Sequence, residues 1–318
     1  MKQIFKAYSA DESLCQLRVG DISVDQSTIV GQNNILFLYM GSNNYYRQYI
    51  DSDLTDNGNK WAELTNARHR RLSHSVSVLS LFVPNKATCM PDLYPLPLDV
   101  VPTQAWKDAL MCLRDDSGVM FSEKLIHDSQ RANRELQNAW RYCDSHWSEF
   151  GCLTTANEVL AKLGLPEILT QTKEIQTITQ YGDLSRKFGN NVIAELCHLT
   201  IKHHLPDPIR SYDSGLNKPY EGSVGRRITW ENFESHINLH LLIIGNSFSG
   251  SGDNSTHLTY WMSRVFRKVT FLHTAHVPTD VLDFYKPDVI IFQGLERFMI
   301  SVPNDKLSSF EVESFFKN

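Results

Sequence analysis

The absences in this sequence narrow it first. No stretch approaches the roughly 20 apolar residues a membrane-spanning helix requires; the most apolar ones, Val76 to Val83, Leu239 to Ile244 and Val289 to Phe292, are all short. There is no internal repeat and no low-complexity segment, which excludes solenoid and fibrous architectures. Basic charge is not in excess: Lys plus Arg total 31 against 36 Asp plus Glu, for a formal charge of -5. A general basic field for nucleic acid or anionic membrane is therefore missing, and no nucleic-acid partner is expected. The six cysteines (Cys15, Cys89, Cys112, Cys143, Cys152, Cys197) include no C-x-x-C pair. In a chain this long they read as free thiols and favour a reducing compartment. Gly222 to Gly225 is not followed by Lys-Ser or Lys-Thr, so it is no phosphate loop. Met1 to Leu17 has no continuous apolar core of the secretory-signal kind.

What is present is an ordinary globular composition, 318 residues with 42% hydrophobic and 21% charged. A chain of this length buries enough surface to need no disulfide or metal staple. Residues 1–27 read as a lead-in, 28–300 as the catalytic domain and 301–318 as a tail. Within the domain, 165–236 is polar and reads as an insertion or subdomain, loop-rich apart from a helix over Val192 to His203. Strands are predicted at Ile35 to Tyr39, Val76 to Val83, Trp140 to Cys143, Leu239 to Ile244, Val269 to Leu272 and Val289 to Phe292. Helices are predicted at Lys60 to Ser73, Thr103 to Leu113, Ser148 to Gly164, Thr256 to Phe266 and Thr279 to Phe284. The alternation of strands and helices from Leu239 onward implies an α/β fold with a parallel sheet covered on both faces.

In open parallel sheets, active sites form beyond the carboxyl ends of the strands. Ser247 stands in the turn Gly245-Asn246-Ser247-Phe248-Ser249-Gly250, just after such a strand. The N–H groups of the helix that follows are expected to point back at this turn and serve a developing oxyanion. The second group is Asp144-Ser145-His146-Trp147, expected at the end of the 140–143 strand. Two residues apart, a carboxylate can accept from one ring nitrogen and fix the tautomer, leaving the other nitrogen to take a serine proton. Together these residues supply nucleophile, base and orienting acid. Read singly, each motif is equally a polar turn or a surface Asp-His pair. His198, His203 and His204 lack the spacing of a metal site, and none is assigned. Glu296-Arg297 follows another strand end, either as a structural ion pair or with Arg297 orienting substrate.

These motifs resemble, in order, the SGNH-hydrolase-like O-acetyltransferases of bacterial exopolysaccharide synthesis, the alginate O-acetyltransferase group. The matching features are Leu36-Phe37-Leu38 before a Gly-Ser-Asn turn, Val83-Pro84-Asn85-Lys86-Ala87 followed by Tyr94-Pro95, and Asp144-Ser145-His146-Trp147. Gly182-Asp183-Leu184, Gly245-Asn246-Ser247-Phe248-Ser249 and Pro287-Asp288-Val289 leading to Glu296-Arg297 complete the set. The resemblance implies a circularly permuted, three-layer SGNH-like fold and a Ser247-His146-Asp144 triad with Arg297 at the substrate or oxyanion. It implies acetyl transfer through an acetyl-serine to a polysaccharide hydroxyl, with no metal and no bound cofactor. The donor is acetyl-CoA or an acetyl group delivered by a membrane-bound acyltransferase partner. The chain as it stands reads as cytoplasmic, or as periplasmic if an anchor lies outside it. It ends about twenty residues after Arg297, so polymer grip would fall to the catalytic domain, with Tyr45, Tyr46, Tyr49 and Trp61 as candidates unless they are packing residues. The same triad would serve an acetylesterase, and a vestigial one would belong to a glycan-binding assembly protein.

Overall fold

The computed structural model describes residues 5–9, 17–51, 57–114, 116–131, 139–168, 170, 172–176, 180–189, 191–195, 198–215 and 224–317. Cys15 and Cys197 lie outside them; Cys89, Cys112, Cys143 and Cys152 are not joined in disulfides. The strands are β1 (Phe5–Ser9), β2 (Thr28–Val30), β3 (Leu36–Leu38), β4 (Ser77–Val83), β5 (Val119–Phe121), β6 (Thr172–Gln176), β7 (Asn191–Glu195), β8 (His198–Lys202), β9 (Ile209–Asp213), β10 (Arg227–Glu231), β11 (Ile237–Gly245), β12 (Phe266–His273) and β13 (Val289–Leu295). The helices are α1 (Asn57–Leu72), α2 (Lys86–Cys89), α3 (Gln104–Leu113), α4 (Glu123–Arg131), α5 (Glu149–Lys162), α6 (Leu258–Val265), α7 (Val281–Tyr285) and α8 (Ser309–Lys317).

Seven strands form the central sheet in the order β5-β4-β13-β11-β12-β10-β9. The first five run parallel, and β10 and β9 add an antiparallel edge. Successive side chains of a strand point to opposite faces, and both faces are apolar here. Leu241 and Ile243 join the core beneath α5 and α6, with Val159, Leu160, Trp261 and Met262. Leu242 and Ile244 join the other side, with Val281 of α7, Val312 of α8 and Leu72 of α1. A strand buried on both faces reads as the continuous apolar run seen in the sequence. The fold is thus α/β, a mainly parallel sheet between two helical layers.

Two local expectations are overturned. The helix over Val192 to His203 is two strands: β7 pairs antiparallel with β1, and β8 with β6. The apolar spacing there fits period two as well as it fits a helix, and the partner strands decide it. Trp140 to Cys143 is no sheet strand either. A single antiparallel bridge joins Trp140 to Trp147, and Ser148 N–H donates to the Ala139 carbonyl at 2.9 Å, closing a tight loop. Asp144 and His146 therefore stand on a loop pinned at its neck. Among the described residues no helix is long and apolar enough to cross a membrane.

Candidate active site

β11 ends at Gly245, beside Gln293 of the neighbouring β13. A Cβ at Gly245 would lie 2.9 Å from Gln293 Oε1 and 3.1 Å from Ser249 Oγ, so only glycine lets the turn pack this close. Gln293 Oε1 accepts from the Asn246 N–H at 3.2 Å and the Ser249 hydroxyl at 3.3 Å. The Asn246 side chain in turn accepts from the Phe248 N–H at 3.1 Å. These bonds fix the turn and leave the Ser247 hydroxyl at its outer edge. The expectation of free helix N–H groups aimed at this turn does not hold. The turn runs on through Gly250 and Gly252, both at positive φ, before α6 begins. The first amides of α6, on Leu258 and Thr259, are taken by the Phe248 and Ser249 carbonyls. The helix clamps the turn and offers nothing to an oxyanion. The Ser247 N–H itself has no hydrogen-bond partner among the described residues.

The structure brings the two motifs together. His146 Nε2 lies 2.8 Å from Ser247 Oγ. His146 Nδ1 lies 2.7 Å from Asp144 Oδ1, which also accepts the His146 N–H at 2.9 Å. Asp144 Oδ2 accepts from Arg141 Nη1 at 3.0 Å and from the Asp183 N–H at 3.3 Å. Burial alone would raise the Asp144 pKa, but its bond to His146 and the charges of His146 and Arg141 hold it well below the usual carboxylate range. Phe248 joins loop to turn: its ring centroid lies 4.9 Å from those of His146 and Trp147 and 5.8 Å from that of Trp140.

The loop is held from behind by residues whose roles the sequence did not show. The buried Lys86 ammonium donates to the carbonyls of Leu36, Arg141, Tyr142 and Asp144 at 2.7, 2.6, 3.0 and 3.2 Å. Asp183 accepts from the Ser145 N–H at 2.7 Å and hydroxyl at 2.6 Å. Arg297 is buried and does not line the cavity that holds Ser247. Its guanidinium donates to the Ser145 carbonyl at 3.4 Å and lies 5.3 Å over the Phe248 ring, a place that supports the loop. Its neighbour Glu296 is no ion-pair partner for it. Glu296 accepts from the N–H groups of Asn85 and Thr103 and from the Thr88 hydroxyl, at 2.7 to 3.0 Å. Of the four candidate grip residues, Tyr45, Tyr49 and Trp61 are packed at 2%, 0% and 5% exposure, and Tyr46 is half-buried with its hydroxyl donating to the Pro97 carbonyl at 3.1 Å.

Lys86→Met leaves those loop carbonyls without their shared donor in a buried place. The expected result is a roughly 10- to 100-fold loss of kcat with KM nearly unchanged, since a slight displacement of His146 costs rate before it costs binding. Steady-state kinetics on a small acetyl ester, with a thermal melt beside them, check it.

Ser247 opens into a cavity of about 280 Å³ lined by Arg141, Asp144, His146, His257 and His273 among others. Burial pushes His257 down to about 4, helped by the charge of His146, and His273 to about 4, helped by Arg226. Both imidazoles are therefore neutral in the folded protein at neutral pH. The unfolded chain takes up these protons near 6.5 and the folded chain only near 4, so stability falls as pH drops through that window. The loss is at most about 1.4 kcal/mol per pH unit for each group. Calorimetry from pH 7 to pH 4 is expected to show a falling Tm, with a flatter profile in the His257→Asn/His273→Asn variant.

Asp144, His146 and Asp183 have ligand atoms within 4.8 Å of one another, a grouping that could hold a metal ion. Their donors are already engaged: His146 Nδ1 with Asp144, and both Asp183 oxygens with Ser145. The arrangement suits a hydrogen-bonded relay better than a metal ligand set.

No protein-family model matches the sequence, and neither does any curated protein. Solved structures do match. Bacillus cereus PatB1 carrying a sulfonyl adduct aligns with a TM-score of 0.54 at 14% identity, over 90% of this chain and 98% of that one. The chain shares their fold. The O-acetyltransferase domain of Pseudomonas putida AlgJ aligns at 0.51 and 12% identity, over 92% and 99%. A DHHW family protein from Eubacterium siraeum aligns at 0.56 and 12%, over 89% and 96%. The α/β fold expected from the sequence is the one these solved structures share.

Proposed function

We propose that this protein is an O-acetyltransferase of the alginate type, carrying an acetyl group on Ser247 and passing it to a polysaccharide hydroxyl. The observation that carries the reading is the pair of contacts at His146, 2.8 Å to Ser247 and 2.7 Å to Asp144. Asp144 holds the proton on Nδ1, so Nε2 presents its lone pair to the serine hydroxyl. Ser247 Oγ attacks the acetyl carbonyl carbon while its proton passes to Nε2. The bond to the leaving group then breaks, and that group takes the proton from His146. A sugar hydroxyl repeats the sequence in reverse: it gives its proton to Nε2, attacks the acetyl-serine and releases Ser247, which recovers the proton. The Ser247 N–H, left without a partner by the turn, is the backbone donor we assign to the oxyanion of both steps. The family motifs and the shared fold support the acceptor as a polysaccharide. In the cytoplasm the donor is acetyl-CoA; outside it, the donor is an acetyl group handed over by a membrane-bound acyltransferase.

Two measurements test this. A fluorophosphonate should label Ser247 in the folded protein and fail to label the denatured one. Acetyl release from a small ester should be diverted to a glycan when polysaccharide is added. Labelling with release that no glycan alters would make the protein an esterase, and no labelling would leave a binding protein.

A further inference from the structure

Asp183 accepts from the Ser145 N–H and hydroxyl, but Ser145 is not its only neighbour. The same Oδ2 that takes the hydroxyl at 2.6 Å lies 3.7 Å from His146 Nδ1. Nδ1 therefore faces two carboxylates, Asp144 at 2.7 Å and Asp183 one step further out. The groups are tied to one another as well. The Asp183 N–H donates to Asp144 Oδ2 at 3.3 Å, and the Ser145 hydroxyl stands 3.5 Å from Nδ1.

The two acids differ in what else answers their charge. Arg141 Nη1 lies 3.0 Å from Asp144 Oδ2, so a guanidinium already offsets that carboxylate. Asp183 makes its only ion pair among the described residues with His146. They differ in freedom too: the Asp144 side chain is 9% exposed and that of Asp183 43%. A carboxylate oxygen has two acceptor sites, and the Ser145 hydroxyl fills one on Oδ2. A shift of about 0.5 to 1 Å brings the other within hydrogen-bond range of Nδ1. When Ser247 passes its proton to Nε2, the imidazole gains a full positive charge. Asp144 supports that cation with a charge Arg141 has partly offset; Asp183 adds one that is not paired elsewhere, weakened by its half-exposure.

We propose that Asp183 is a second acid for His146, balancing the imidazolium during transfer and able to accept from Nδ1 when Asp144 is removed. Asp183 does not line the Ser247 cavity, so it acts through His146, as a positioning residue. This deepens the acetyltransferase reading and rests on its use of His146 as the base.

The test begins with Asp183→Asn. The amide oxygen still accepts from the Ser145 N–H, and the Ser145 hydroxyl turns to accept from the NH₂, so the loop keeps its bonds and loses only the charge. With 4-nitrophenyl acetate as substrate, kcat is expected to fall about tenfold, with KM and melting temperature nearly unchanged. A residue that served the loop alone would leave the rate native. The second variant is Asp144→Ala, first shown to be folded by a thermal melt. Its His146 is expected to keep the proton on Nδ1, read from the ring nitrogen chemical shifts. Its rate should exceed that of Asp144→Asn by about tenfold or more, because alanine imposes no wrong tautomer and Asp183 takes the proton's hydrogen bond. Asp144→Ala/Asp183→Asn should fall to the Asp144→Asn level. Native kcat in Asp183→Asn, a loss there that comes with a lowered melting temperature, or a folded Asp144→Ala with its proton on Nε2 would each overturn the proposal. Should Asp144→Ala fail to fold, Asp183→Asn decides alone. The tautomer is read in the resting protein, so it stands apart from the activity. If fluorophosphonate never labels Ser247 in the unmodified protein, the acetyltransferase reading fails, whatever the tautomer shows of Asp183.

Discussion

Ser247→Ala and His146→Ala are each expected to lower acetyl transfer by roughly 10⁴- to 10⁶-fold, and the double variant by no more than either alone. The reason is the 2.8 Å contact between them. A serine hydroxyl is a weak nucleophile until its proton has somewhere to go, and a base without the hydroxyl has nothing to activate. Each variant therefore loses the same step, and the losses cannot add. Stability is expected to change little. Ser247 stands on the turn's outer edge, whose shape is held by Asn246, Gln293 and the α6 amides. Transfer rates for the three proteins with one donor and acceptor check this, and multiplying losses would show that the residues act apart.

Asp144→Asn is expected to fold and to lose roughly 10³- to 10⁴-fold in rate, through the wrong tautomer of His146. The surroundings dictate the outcome. Arg141 Nη1 and the Asp183 N–H both donate to the Oδ2 position, two donors, one of them charged, against the single His146 N–H at Oδ1, so an oxygen is favoured at Oδ2. An amide that satisfies them turns its NH₂ toward His146 Nδ1. The imidazole must then accept at Nδ1 and carry its proton on Nε2, where it can no longer take one from Ser247. Melting temperature and kcat measured together check this, with the histidine tautomer read from the ring nitrogen chemical shifts. A variant with near-normal rate would mean that Asp144 does not set the tautomer.

How legible this was in the sequence depended on what carried each signal. The sheet was readable because Leu241 to Ile244 and Val289 to Phe292 are buried on both faces and so appear as unbroken apolar runs. Ser247 was readable for the same reason, since a small-residue turn after a buried strand has a fixed place in such folds. Asp144 and His146 were found by their chemistry, although the strand drawn beneath them is a loop closed by one Trp140–Trp147 bridge. Residues 191–202 misled because pairing with distant strands, not local spacing, decides between helix and strand there. Lys86 and Asp183 carried no local signal of their roles. Lys86 reaches backbone carbonyls, which look alike at every position, and Asp183 reaches the N–H and hydroxyl of Ser145, all at sequence separations of 38 to 58. The extended loop between Ser247 and α6 stayed hidden as well, because the glycines that permit it read simply as turn residues.

The most direct measurement is mass spectrometry of the protein quenched in acid seconds after mixing with an acetyl donor and no glycan. The account predicts the mass of one acetyl group on the peptide holding Ser247, absent in Ser247→Ala and discharged when polysaccharide is added before the quench. An unmodified serine peptide in an active enzyme, or acetyl on another residue that still transfers, would contradict it.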